Sequence, residues 1–139
     1  MTSLSIGGPC AANPIELTTA DLSRVHARHQ VPDISSVLQG RRGAAVRLAA
    51  LAELADTRGA RFVHVESADG SFTANLPLEQ ALEHGLVLYS LDGEPLPAKF
   101  GGPFRLLLAE GEDCSVNVKF LAGLTFVATP GSHTARCAE

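Results

Sequence analysis

Two cations lie inside segments that are otherwise apolar. Arg105 opens the run Phe-Arg-Leu-Leu-Leu directly after a Gly-Gly-Pro bend, and Lys119 lies within Val-Asn-Val-Lys-Phe-Leu. Leaving a buried cation without a partner costs several kcal/mol, so each needs an anion or several hydrogen bonds. The sequence leaves three solutions open: water at an exposed strand face, a bound phosphate or similar anion, or an internal carboxylate, for which the candidates are Glu66, Asp69 and Glu94.

The histidines offer a weaker signal for metal chemistry. His26 and His29 are three residues apart, which on a helix would bring two metal ligands together, but no third ligand follows at a matching spacing. His64 and His84 are expected to be structural, in a strand and at a helix end. The sequence also has no Gly-x-Ser-x-Gly elbow, Walker loop or dinucleotide fingerprint, so the hydrolase and nucleotide-binding classes lose their usual support.

The three cysteines, Cys10, Cys114 and Cys137, are odd in number and far apart. This spacing disfavours a disulfide framework and a zinc site, and it predicts a reducing, cytoplasmic location. The first residues carry no basic group and no long apolar block, which argues against a secretory signal. No apolar run approaches the roughly 18 residues that span a membrane, so no membrane partner is expected.

Composition narrows the class of ligand. With 139 residues, 45% hydrophobic and 19% charged, the chain can build one domain with a real core. A net charge of −4 and only 5% aromatic residues argue against nucleic acid as a partner. Residues 34–52 nevertheless contain no acid and three arginines, Arg41, Arg42 and Arg47. This local positive stretch suits one anionic ligand or a solvated surface.

The elements that must position these residues follow from periodicity and turn signals. Residues 1–16 are expected to be a flexible leader, residues 17–128 the folded domain and residues 129–139 a flexible tail. Three helices are predicted, over residues 21–29 with Thr18 or Thr19 as cap, over 46–57, and over 77–84. Strands are predicted over residues 61–67, 72–75, 86–91, 104–108, 116–120 and 124–127, and the proline-rich residues 94–103 are expected to form a rigid loop without regular structure. The resulting class is α+β, with mixed, bent β-sheets and two or three short helices.

Taken in order, several segments of the chain resemble the oxidoreductase molybdopterin-binding domain, which has the sulfite-oxidase-like fold. The resemblance extends over residues 17–127, and it is the ordered set of short segments that makes it specific. The matching segments are residues 43–55, 67–70, 76–79, 91–97, 101–106 and 118–121.

The resemblance implies a small anionic partner, the molybdenum cofactor, a pterin that carries a dithiolene and a phosphate. It implies that Arg105 and Lys119 contact this cofactor and that Asn117 and Val118 contribute from the same segment as the lysine. Asp69, in the Ser-Ala-Asp-Gly turn, is a further candidate. The implied activity is that of an oxidoreductase, by oxygen-atom transfer or related two-electron chemistry; a protein partner is not identified.

The sequence departs from the catalytic members of the family at the metal. They supply a cysteine thiolate from the region that here contains Ser35 and Ser36, and a hydroxyl is a poor substitute for a soft thiolate. Phe100 stands where members often carry histidine. Cys114 is either a small hydrophobic residue, a relocated sulfur ligand or a redox-active thiol. The alternative function is therefore a degenerate, non-catalytic binding or interaction module of the same fold, which takes this or another phosphorylated or anionic small ligand.

Overall fold

Short β-strands are the main regular elements of the chain. The computed structural model describes residues 3–37, 42–70, 72–110 and 113–128. The elements in these ranges are β1 (Leu4–Gly7), β2 (Ile15–Leu17), α1 (Thr19–Ser23), β3 (Gln30–Val31), β4 (Ala44–Arg47), α2 (Leu48–Leu54), β5 (Phe62–Ser67), β6 (Thr73–Pro77), α3 (Leu78–His84), β7 (Gly85–Leu91), β8 (Glu94–Pro95), β9 (Arg105–Glu110), β10 (Asp113–Val118) and β11 (Leu121–Val127).

The strands form two sheets. The first has the order β2-β1-β11-β5-β6, in which β1 and β11 run parallel and the other neighbours antiparallel. The second has the order β10-β9-β7-β4-β3, with β8 paired to β7. The predicted α+β class, with mixed sheets and three short helices, is confirmed.

The second sheet buries apolar side chains on both of its faces. One face packs with the first sheet into the main core, which contains Val87 and Leu106 together with Val63 and Phe126 of the first sheet. The opposite face carries a smaller cluster with Ile34, Leu86, Leu88, Leu96 and Leu107. Because successive residues of a strand point to opposite faces, strands buried on both sides become continuous apolar runs such as Leu106–Leu108.

Local capping explains where two helices begin and end. Thr18 forms a capping box with Asp21: its hydroxyl accepts a hydrogen bond from the Asp21 amide, and its own amide donates to the Asp21 carboxylate at 2.9 Å. This confirms Thr18 as the cap. The helix ends at Ser23, and residues 27–29 form a separate 3₁₀ turn. Gly85 ends α3, as its position predicts.

Three expectations from the sequence need correction. The described part of the leader is ordered, since β1 lies inside the first sheet with Leu4 fully buried and Ile6 at 2% exposure. The helix predicted over 46–57 begins only at Leu48, because Val46 belongs to β4 and pairs with Val87. The loop over 94–103 contains β8 and a 3₁₀ turn at Ala98–Phe100. The predicted tail, residues 129–139, lies outside the described residues.

Among the described residues, no helix has the length and apolar character that crossing a bilayer requires.

Candidate functional site

The strand register brings Arg105 and Asn117 to the same face of the second sheet. Arg105 pairs with Leu88, and Asn117 pairs with Leu107 on the neighbouring strand. Leu88 and Leu107 belong to the smaller apolar cluster, on the face turned away from the main core. Arg105 is therefore a cation at the edge of an apolar surface, half-buried beside leucines.

Two hydrogen bonds orient the Arg105 guanidinium. Its Nε donates to Oδ1 of Asn117 at 2.7 Å, and its Nη1 donates to the carbonyl oxygen of Phe100 at 3.1 Å. Both acceptors are neutral oxygens, and together they fix the direction of the guanidinium. This arrangement suits an arginine that recognises an anion.

Gly101 brings the Lys119 side chain close to Arg105. The glycine adopts a left-handed conformation with φ of 86°, and a β-carbon at this position would lie 2.9 Å from Cγ of Lys119 and 3.2 Å from Cδ of Arg105. The stems of the two cationic side chains thus both lie against the same glycine. Lys119 is exposed and forms no ion pair with any residue that the structure describes.

Backbone hydrogen bonds join the turn that contains Asp69 to this region. The amide of Ala68 donates to the carbonyl of Phe120 at 2.8 Å, and the amide of Phe120 donates to Gly101 at 2.7 Å. Three turns therefore meet at Phe120, which has a positive φ of 56°. The Asp69 carboxylate accepts a hydrogen bond from the Ser67 hydroxyl at 2.9 Å.

Val118 differs from the other predicted site residues. It pairs with Leu106 and is only 1% exposed, so its side chain lies within the main core. Only its backbone groups could contact a ligand.

Two adjacent cavities lie along the outer face of the second sheet. The first has a volume of about 200 Å³ and combines apolar side chains of the smaller cluster with Phe100 and two arginines, Arg42 and Arg105. The second, of about 390 Å³, is more polar and is lined by Asp33, Ser35, Arg42 and Asp92, among others. Arg42 lines both cavities, so we refer to the two together as the groove.

Arg42 lines the groove but was not identified as a site residue from the sequence. Its Nη2 donates to both carboxylate oxygens of Asp92, at 2.9 and 2.7 Å. The signal for it was the acid-free stretch with three arginines, which indicated an anion site or a solvated surface without choosing between them.

Ser35 lies in the segment where catalytic members of the family are expected to supply a cysteine thiolate. Its side chain lines the second cavity. The Ser35 hydroxyl donates to Oδ1 of Asp33 at 2.7 Å, and this bond, with a second from the Ser35 amide, lowers the pKa of the Asp33 carboxyl below its ordinary value. Ser36 instead donates its hydroxyl to the carbonyl of Asp33. The groove therefore presents hydroxyl and carboxylate oxygens, which are hard ligands, at this end.

The cysteines do not provide a sulfur ligand within the described part of the chain. Cys10 is 2% exposed and disulfide-bonded, so the expectation that the cysteine spacing disfavours disulfides is wrong for this residue. The side chains of Cys114 and Cys137 lie outside the described ones.

The histidines have local partners. His26 accepts a hydrogen bond from the Arg28 amide at 3.1 Å, and His29 lies 3.0 Å from the Glu53 carboxylate. Across the described residues, no three histidine, cysteine or acidic side chains gather as a metal-binding group.

Comparison with known proteins agrees with this architecture. The sequence model of the family described as "Oxidoreductase molybdopterin binding domain" matches residues 39–135. The crystal structure of the sulfane dehydrogenase SoxCD from Paracoccus pantotrophus superimposes with a TM-score of 0.67 at 21% sequence identity, which shows a shared fold. The match covers 94% of this chain but only 39% of that chain. No curated protein matches the sequence. The chain belongs to the oxidoreductase molybdopterin-binding domain family.

Proposed function

We propose that this chain binds molybdopterin, a pterin that carries a phosphate, along the groove of the second sheet. The observation that carries the proposal is Arg105: a half-buried guanidinium, held in place by hydrogen bonds to Asn117 and Phe100, at the wall of an apolar cavity that Arg42 also lines. An anion gains most from a cation that is already oriented and partly removed from water. Family membership supports the same ligand class.

The described residues fit the anionic and polar parts of this cofactor. Arg105 and Lys119 would hold the phosphate, with Asn117 keeping the Arg105 guanidinium in place. Val118 would contribute through its backbone, and Asp69 would offer a carboxylate to N–H groups of the pterin from the neighbouring turn. When bound with molybdenum, the cofactor supplies oxygen-atom transfer or related two-electron chemistry.

One observation favours a second function, a binding module of the same fold without redox chemistry. Where catalytic relatives are expected to present a thiolate, the groove presents Ser35, whose hydroxyl is bonded to Asp33. The described side chains that line the groove include no cysteine. In this function the groove retains the pterin, or another phosphorylated small molecule, without a sulfur bond from the protein to the metal.

The first experiment is to express the full chain in a host that makes the cofactor. Molybdenum is measured by mass spectrometry, and the pterin by its fluorescence after oxidation. Stoichiometric pterin with molybdenum supports the enzyme, and pterin without molybdenum supports the binding module. A protein that purifies without pterin under these conditions refutes both forms of the proposal that involve this cofactor.

Variants then locate the site. Arg105→Ala and Lys119→Ala should each lose pterin while the circular dichroism spectrum stays that of the folded protein. Arg58→Ala is a suitable control, because it also removes one positive charge, whereas Arg58 is paired with Asp56 and lines neither cavity of the groove. Equal retention in Arg105→Ala, Lys119→Ala and the control would remove both residues from the site.

A further inference from the structure

Arg42 stands at the boundary between two different electrostatic environments. On one side lies the second cavity, with the carboxylates of Asp33 and Asp92. On the other side lies the first cavity, whose described lining consists of apolar side chains and two arginines, with no carboxylate. The same guanidinium can therefore face a carboxylate of its own chain or the apolar and cationic lining of the first cavity.

The backbone holds Arg42 at this boundary. The next residue, Gly43, has a φ of 120°, and a β-carbon there would lie 2.7 Å from both Cδ1 of Leu88 and the carbonyl oxygen of Ser90. The chain at Gly43 thus lies directly against β7, closer than any residue with a side chain allows. The backbone that follows Arg42 is therefore closely packed, and we assign the change of partner to the Arg42 side chain.

The bond between Arg42 and Asp92 is one that a ligand can displace. Both side chains are 69% exposed, and ion pairs in such surroundings contribute little to stability. An anion in the first cavity would meet Arg42 and Arg105 together, next to leucines that exclude water. A phosphate or sulfate that contacts two guanidinium groups forms two charge-assisted contacts. The exposed bond between Arg42 and Asp92 is only one such contact, so we expect the oxyanion to displace Asp92.

We propose that Arg42 and Asp92 form a displaceable latch: a tetrahedral oxyanion that enters the first cavity takes Arg42 from Asp92 and is held between Arg42 and Arg105. The proposal concerns the same groove as the proposed function, but it requires only the oxyanion. It therefore survives, or fails, independently of whether the pterin is retained.

The test is a titration of the isotope-labelled, cofactor-free chain with inorganic phosphate, followed by NMR at the amides of Gly43, Gly93 and Gly101. Arg42→Gln should weaken phosphate binding about tenfold, the value of one charge-assisted hydrogen bond. Asp92→Asn should strengthen it roughly two- to fivefold, because the competing carboxylate is gone. Both side chains are exposed, so both variants should fold.

The double variant separates a latch from a general charge effect. When Asp92→Asn is combined with Arg42→Gln, it should leave the phosphate affinity unchanged, since there is no guanidinium at position 42 to release. A matched control is Asp56→Asn, which removes the same charge at nearly the same backbone conformation, with a φ of 52° against 54° at Asp92, from another arginine pair. It should change the affinity little.

Two results would overturn the latch. One is a gain in phosphate affinity from Asp92→Asn that has the same size with and without Arg42. The gain would then come only from removing the electrostatic repulsion between Asp92 and the phosphate. The other is phosphate binding that Arg42→Gln does not weaken. The same titration on pterin-loaded protein identifies the oxyanion. If the loaded protein no longer binds inorganic phosphate, the oxyanion is the phosphate of the cofactor; if it still binds, the oxyanion is a separate small molecule. Either result supports the latch.

Discussion

Replacing Gly101 by alanine would put a methyl group against the stems of two cationic side chains beside the groove, Lys119 and Arg105. Gly101 has a φ of 86°, and the added β-carbon would lie 2.9 and 3.0 Å from Cγ and Cβ of Lys119 and 3.2 Å from Cδ of Arg105. The substitution therefore tests the convergence of Arg105 and Lys119, on which the proposed site depends, without removing either charge.

The expected destabilisation has two parts. A residue with a β-carbon in the left-handed conformation costs about 1 kcal/mol relative to glycine. The contact with Lys119 adds about 1 kcal/mol, at the lower end of what overpacking costs, because Cγ can rotate away but Cβ is fixed to the backbone. Gly101→Ala should therefore lower the free energy of unfolding by about 2 kcal/mol.

Gly70→Ala is the matched control, because Gly70 has a φ of 72° and no atom within 4 Å of the β-carbon position. It should show the conformational cost alone, about 1 kcal/mol, and the effect on the unfolded chain is the same in both variants. Equilibrium urea unfolding measures the two free energies at equal m values. Equal losses in the two variants would refute the argument, since Lys119 and Arg105 would then not lie against Gly101.

Three further predictions concern other parts of the chain. Burial raises the pKa of Tyr89 above its ordinary value of 10.0, so the absorbance of this single tyrosine should titrate above pH 10. The stability that the neutral, buried tyrosine contributes should be lost as the pH rises through that range. A titration midpoint at or below pH 10 would contradict its burial. Thr18→Ala should cost about 1 kcal/mol in urea unfolding at pH 7 through loss of the helix cap, whereas an unchanged midpoint would show that the cap is not formed. The bonds from Thr18 lower the pKa of Asp21, so the cap stabilises the fold above about pH 4 and its contribution should fall as the solution is acidified further. Because Cys10 is disulfide-bonded, a thiol assay of the unfolded protein should count one of the three cysteines before reduction and three afterwards; three at the start would show that the disulfide is absent.

Elements with local signals could be predicted from the sequence, and elements that depend on distant pairing could not. Pro77 and Gly85 bound α3 closely because one favours a helix start and the other a helix end wherever they occur. The apolar spacing of the helix that begins at Leu48 extends back to Val46, and it therefore predicts a helix there as well. The pairing of Val46 with Val87 makes it a strand residue instead. No local pattern contains that information.

The same distinction applies to the candidate site. Arg105 could be identified because a cation inside an apolar strand is conspicuous in the sequence, and register then places Asn117 beside it. Arg42 could not be chosen from the three nearby arginines, because its position depends on the chain folding back against β7. Its partner Asp92 is 50 residues away in sequence. Val118 was chosen with its neighbours, although strand alternation turns its side chain into the core.

The pairing of β1 with β11 constrains how the molecule is assembled. Ser5 lies opposite Gly123, so β1 and β2 have no sheet to join until nearly all of the described chain has been synthesised. Contacts between such distant residues form slowly, because closing the intervening loop costs entropy before any pairing is gained. During translation Leu4 and Ile6 must therefore remain without their native partner strand in the first sheet until β11 has left the ribosome. A chain truncated before β11 should expose these residues and aggregate, even though the whole of the second sheet is present.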